Sequence, residues 1–121
     1  MSNTASSNRR VLVVDDEVLI ADSLVTILRM SGYEAFAVYS AEQALDWCRE
    51  CRPDAVISDV IMGPMNGIEL AIRLAQSAPE CKVLLVSGNV LTASLLLDSE
   101  AGGYEFPLLP KPAHPKAFFA S

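Results

Sequence analysis

Asp15, Asp16 and Glu17 follow the apolar residues 11–14, and a lone Asp59 follows residues 55–58. Ser87 closes the apolar stretch 83–86, and Lys111 follows "FPLLP" at 106–110. Each of these polar groups sits where a buried strand should end. If the strands lie side by side, three carboxylates, a hydroxyl and an ammonium arrive at one rim. Crowded carboxylates repel, and their pKa values rise unless a cation intervenes. A hard divalent ion such as Mg²⁺ takes oxygen ligands and keeps several waters, so it suits such a site. The adjacent Asp15 and Asp16 form the better metal pair, and Asp59, alone on its strand, is the better nucleophile. One of its oxygens can attack an electrophilic phosphorus to give an aspartyl phosphate. The metal and Lys111 neutralise charge on the transferred group's equatorial oxygens. Ser87 can donate to another of those oxygens, and Gly88 leaves room for the group to enter.

The chain must supply the elements that bring these groups together. Residues 11–14 form a short continuous apolar run, as expected of a strand covered on both faces. Leu19, Ile20, Leu24, Ile27 and Leu28 recur at helical spacing, and Gly32 closes that helix. "EAFAV" reads as a second strand. Ser40 with Gln43 forms a capping box opening a helix through about Glu50. Pro53 and Asp54 turn the chain into "AVIS", the third strand. "GIELAIRLAQSA" is helical, with Ile68, Leu70, Ala71, Leu74 and Ala75 as its apolar positions, and Pro79 ends it. "KVLLVS" is a fourth strand, "VLTASLLLDSE" a helix and "AGG" its break. "FPLLP" predicts a short fifth strand confined by its prolines to a sheet edge. "HPKAFFAS" begins a last, truncated helix. Strands alternating with helices imply right-handed βαβ units and a parallel sheet covered on both faces. In such sheets ligands bind beyond the carboxyl ends of the strands, at the switch in strand order.

Composition sets outer limits. The 121 residues suit one domain at 10–121 behind a polar, flexible tail at 1–9. A hydrophobic fraction of 51% supports a real core. Fifteen acids against nine Lys and Arg give a net charge of −6, which argues against direct contact with nucleic acid. No stretch reads as a signal or membrane segment, and Cys48, Cys51 and Cys81, an odd set, fit free thiols in the cytoplasm. The C-x-x-C at Cys48 and Cys51 falls within a helical pattern and has no second pair, so it reads as packing rather than metal or redox chemistry.

In order and spacing, "VLVVDDE", "DVIMGPMNGIEL", "VLLVSGN" and "LLPKP" resemble the receiver domain of bacterial two-component response regulators. The resemblance runs from about Arg10 to Lys116. It implies a flavodoxin-like, doubly wound five-stranded sheet of order 2-1-3-4-5. It also implies that Asp59 is the phosphoacceptor, that Asp15 and Asp16 are the metal acids, and that the Ile61 backbone carbonyl completes a Mg²⁺ shell. Ser87 becomes the switch hydroxyl and Lys111 the phosphate-binding lysine, aimed by a cis Lys111–Pro112 bond. The phosphoryl donor is then a histidine kinase or phosphotransfer protein, and the output is contact with a downstream protein. Two features depart from the family pattern. Leu108 stands where the family often has an aromatic switch residue, with Phe106 two residues away on the same face, and few residues remain for a last helix. If Phe118 and Phe119 are not docked, they form an apolar patch suited to a partner or a homodimer.

Other functions fit less well. An aspartate-nucleophile phosphatase or phosphotransferase wants a second acid two residues after its nucleophile, and Ile61 cannot transfer a proton. A flavodoxin-like cofactor binder wants a phosphate-cradling loop after the first strand, where "DDE" would repel phosphate. The remaining alternative is a degenerate receiver that binds protein without phosphorylation. The chain is therefore expected to be a signalling switch and not an enzyme.

Overall fold

Residues 11–14 alternate Val, Leu, Val, Val with no polar interruption, and both faces of that strand are buried. The computed structural model describes residues 9–111. Its elements are β1 (Arg10–Val14), α1 (Val18–Met30), β2 (Glu34–Val38), α2 (Ala41–Cys51), β3 (Ala55–Asp59), α3 (Gly67–Ser77), β4 (Lys82–Ser87), α4 (Val90–Glu100) and β5 (Leu108–Pro110). The five strands are parallel in the order β2-β1-β3-β4-β5. The expected last helix, Phe118, Phe119, the Lys111–Pro112 bond and most of the N-terminal tail lie outside the described residues.

Period-2 alternation splits the core into two layers. Val11 and Val13, with Ile57 and Val86, face Ala21, Leu24, Val25 and Leu28 of α1. Leu12, Val14 and Val56 face Ala44 and Cys48 of α2, Ile68, Ala71 and Leu74 of α3, and Ala93 of α4. Each fully buried leucine or isoleucine here contributes about 1.5–3 kcal/mol from removal of its apolar surface from water. One expected core position fails: Leu19 is 78% exposed. The buried stripe of α1 runs through 21, 24, 25 and 28, and at 100° per residue position 19 falls on the opposite side.

Local chemistry sets the boundaries. The Ser40 side chain accepts from the Gln43 N–H, and Gln43 Oε1 accepts from the Tyr39 N–H at 2.9 Å, so the box closes on the residue before the cap. Gly32 takes φ 98° after α1, as a left-handed residue behind a helix end requires. Trp47 packs α2 onto the sheet through Phe36, with ring centroids 5.1 Å apart.

Both sheet edges are protected. At β5, the Leu85 N–H donates to Pro107 O at 2.9 Å and the Lys111 N–H to Ser87 O at 2.8 Å. Odd-numbered residues there face β4, so the nitrogen of Pro110 faces outward, the one direction in which a missing N–H costs the sheet nothing. Phe106 precedes this strand rather than belonging to it. It stacks on Tyr104 at 6.0 Å and packs against the same core layer as Leu108. At β2, Arg29 Nε donates to the outward Ala35 O at 3.0 Å, and Gln43 holds the outward Tyr39 N–H.

Chain order reverses between β1 and β3, and the carboxyl ends of those two strands open the crevice where such folds bind ligands. No helix among the described residues is long and apolar enough to cross a membrane.

Candidate functional site

Asp15 follows the last residue of β1, and its side chain is 2% exposed. Its Oδ1 accepts from the Glu17 N–H at 2.9 Å, closing the turn that starts α1. Its Oδ2 lies 2.7 Å from Lys111 Nζ. Asp16 is exposed. Asp59, the last residue of β3, is 6% exposed. Carboxylate oxygens of Asp15, Asp16 and Asp59 all lie within 4.8 Å of one another, close enough to share one cation. An all-oxygen donor set with one open side suits a hard divalent ion that keeps part of its water shell. Ile61, two residues beyond Asp59, is half exposed beside the crater.

Lys111 reaches into this cluster from the end of β5. Its Nζ lies 3.3 Å from Asp59 Oδ2 and 3.3 Å from Glu17 Oε1, besides the contact with Asp15. Burial pushes the ammonium pKa down, but the hydrogen bond to Asp15 and the attraction of Asp59, Asp15 and Glu17 outweigh it and leave it raised. Lys111 is therefore a fixed cation. Burial also pushes the Asp59 carboxyl up. Lys111 pulls it back, and the repulsion of Asp15 and Asp16 adds to the rise, so it titrates at about 6 instead of 3.8. At neutral pH Asp59 is ionised yet poorly solvated, which is the condition of a usable carboxylate nucleophile.

Ser87 closes β4, one residue beyond Val86, which is paired with Asp59. Its Oγ donates to Asn89 O and accepts from the Asn89 N–H, both at 3.1 Å. Gly88 has open space where a side chain would stand. The fold thus gathers Asp15, Asp16, Asp59 and Lys111 into one contact network and places Ser87 on the neighbouring strand end.

Three participants were not evident from residue spacing. Glu17 belongs to the acidic triplet, but its pairing with Lys111 depends on the lysine reaching back from the edge strand β5 toward the end of β1. Ser58 is fully buried and its Oγ donates to Asp59 O at 3.0 Å. Gly67 N–H donates to Val60 O at 2.8 Å, and a Cβ on Gly67 would collide with Asp59 O. The glycine ending "GPMNG" was the available signal for that close approach. In the same loop Met62 is buried in the core and Met65 packs against it.

Comparison with known proteins agrees with this geometry. The model of the response regulator receiver domain matches residues 11–120. The DNA-binding response regulator MtrA of Mycobacterium tuberculosis is 31% identical over 112 residues, covering 93% of this chain and 48% of that protein. The chain thus spans about half the length of the curated relatives it matches. Because such relatives are named as DNA-binding, the exclusion of nucleic acid drawn from net charge finds no support among them. A CheY-like receiver domain protein from Methanospirillum hungatei superposes with a TM-score of 0.78 at 25% identity, covering 93% of this chain and 89% of that one. TrrA of Thermotoga maritima, solved in complex with Mg²⁺-BeF, gives 0.77 at 25% identity, with 91% and 92% covered.

Proposed function

The chain belongs to the response regulator receiver family, and from that premise we propose that it is a phosphorylation-dependent switch in which Asp59 accepts a phosphoryl group from a histidine kinase or phosphotransfer protein. One observation carries the reading: the Asp15, Asp16 and Asp59 carboxylates meet within 4.8 Å, and Lys111 Nζ contacts two of them, Asp15 and Asp59. One Asp59 oxygen carries the Lys111 ammonium, and the other is the nucleophile. A bond forms from that oxygen to phosphorus, the bond from phosphorus to the donor nitrogen breaks, and its electron pair returns to the donor imidazole. Asp15, Asp16, Asp59 and the Ile61 carbonyl would hold Mg²⁺, which supplies charge neutralisation for the phosphoryl oxygens. Lys111 exchanges its contact with Asp59 for one of those oxygens, while Asp15 and Glu17 keep the ammonium in place. Ser87 turns from Asn89 O toward another.

The readout follows from that last exchange. Asn89 is the N-cap of α4, and its side chain accepts from the Thr92 N–H. Freeing Ser87 from Asn89 loosens the entry to α4, a local change with a packing consequence. With Leu108 at the usual aromatic position, the signal passes through this loop and leucine packing instead of a rotating ring. The output is a protein contact, and the site of action is the cytoplasm. Mg²⁺-dependent labelling with acetyl phosphate tests the assignment. Wild type should take up one phosphoryl group, and Asp59→Asn should take up none. Full labelling of Asp59→Asn would remove Asp59 from its role, and no labelling of wild type would leave a module that binds without phosphorylation.

A further inference from the structure

At the opposite end of the molecule from Asp59, the C-terminal halves of α2 and α3 frame an open groove of about 340 Å³. Leu45, Cys48 and Leu74 lie along its floor, and Arg49, Arg52 and Arg73 stand around it. Positions 45, 48, 49 and 52 form one i, i+3, i+4, i+7 stripe, so the groove is an apolar track with a cationic border. That is a local reversal of sign in a chain of net charge −6, using three of its nine Lys and Arg. Among the described residues Arg49 makes one ion pair, with Asp46 at 3.3 Å, and both side chains are about three-quarters exposed, so the pair is weak.

Arg52 adds an independent observation. It caps α2 at φ 46° and is the one non-glycine residue with positive φ among the described residues. A left-handed position after a helix favours glycine, and Gly32 fills the corresponding place after α1. Retaining a strained arginine there points to use of its side chain. A favourable interaction with the helix dipole explains a basic group in the last turn, which Arg49 already provides, but does not explain Arg73 on the neighbouring helix.

We propose that this groove is a docking surface for an acidic amphipathic helix of a protein partner. Its apolar face would lie over Leu45, Cys48 and Leu74, and its carboxylates would meet the three guanidinium groups. A small phosphate ester fits less well. A phosphate would meet the guanidinium groups but leave the apolar floor of Leu45, Cys48 and Leu74 uncovered. The surface is separate from the phosphoryl chemistry at Asp59, so the two readings stand or fall apart.

The probe is a fluorescein-labelled 18-residue Leu/Glu amphipathic peptide, with a Leu/Lys peptide of the same pattern and inorganic phosphate as controls. Anisotropy should show saturable binding of the Leu/Glu peptide only. Arg49→Gln/Arg52→Gln/Arg73→Gln should weaken it at least tenfold, 500 mM NaCl should weaken it similarly, and Asp59→Asn should leave it unchanged. Amide shifts in NMR spectra should centre on residues 45–52 and 73–78. Arg52→Gly separates docking from folding: it should raise the urea midpoint by relieving the backbone yet weaken peptide binding at least threefold. The proposal is overturned by any of four results: no binding at 1 mM peptide, triple-variant affinity within twofold of wild type, shifts centred elsewhere, or phosphate saturating the same amides as tightly as the peptide.

Discussion

Replacing Asp59 by Asn should make the protein more stable, although it removes the central group of the site. Burial and the neighbouring acids raise the Asp59 pKa from 3.8 to about 6 in the folded state. The folded chain therefore binds its proton more tightly than the unfolded chain does. This contribution to stability is fully present below pH 3.8 and is lost as pH rises through 6. Above that window Asp59 is ionised in both states, and the shift of roughly two pH units corresponds to about 3 kcal/mol of destabilisation. Asparagine avoids this cost, and Lys111 still keeps Asp15 and Glu17 as partners, so no buried cation is left unpaired. With a urea m-value of about 1.5 kcal/mol per molar, the midpoint of Asp59→Asn should rise by about 2 M at pH 7.5 in EDTA. At pH 4 the gain should shrink to about 0.5 kcal/mol. Urea unfolding followed by circular dichroism at both pH values measures this. An Asn variant no more stable than wild type at pH 7.5, or one whose advantage is the same at pH 4, would refute the electrostatic account of the crater.

Two further predictions concern packing. Gly67→Ala should cost about 1–3 kcal/mol in unfolding free energy, because the new methyl group meets the Asp59 carbonyl, and it should slow acetyl phosphate labelling several-fold by displacing that residue. Burial pushes the Cys48 thiol up to about 12 and the Cys81 thiol to about 11. With iodoacetamide at pH 8, the less buried Cys51 should therefore be alkylated first, and mass mapping of the modified peptides would detect any inversion of that order.

Much of the fold was legible because each element carries its own signal. The continuous apolar runs of β1 and β3 could only be strands buried on two faces. Ser40 marks a helix start that the structure shows as a side-chain cap, while the caps at Asn66 and Asn89 emerged only with the fold. The acidic triplet and Asp59 were legible because a strand end is where a parallel sheet presents functional groups. What escaped depended on three-dimensional proximity. The meeting of Lys111 with Asp15 and Asp59 was implied by their common strand-end positions, but its pairing with Glu17 joins residues far apart in the chain that no local pattern links. Leu19 was misplaced because a helix beginning at Val18 has too few preceding residues to fix the phase of its apolar stripe. Arg52 escaped because its left-handed conformation occupies a place where glycine is the usual marker.

The guarded margins of the sheet limit how copies of this protein can assemble. An extended segment offered to β5 meets the ring of Pro110 where it needs a donor, and one offered to β2 finds Ala35 O and Tyr39 N–H already taken by Arg29 and Gln43. Strand-by-strand growth into fibrils or swapped ladders is thereby discouraged from either side. Whatever complexes this receiver domain enters are left to form chiefly through helices and loops, whose side-chain contacts are easier to make and release than a shared backbone ladder.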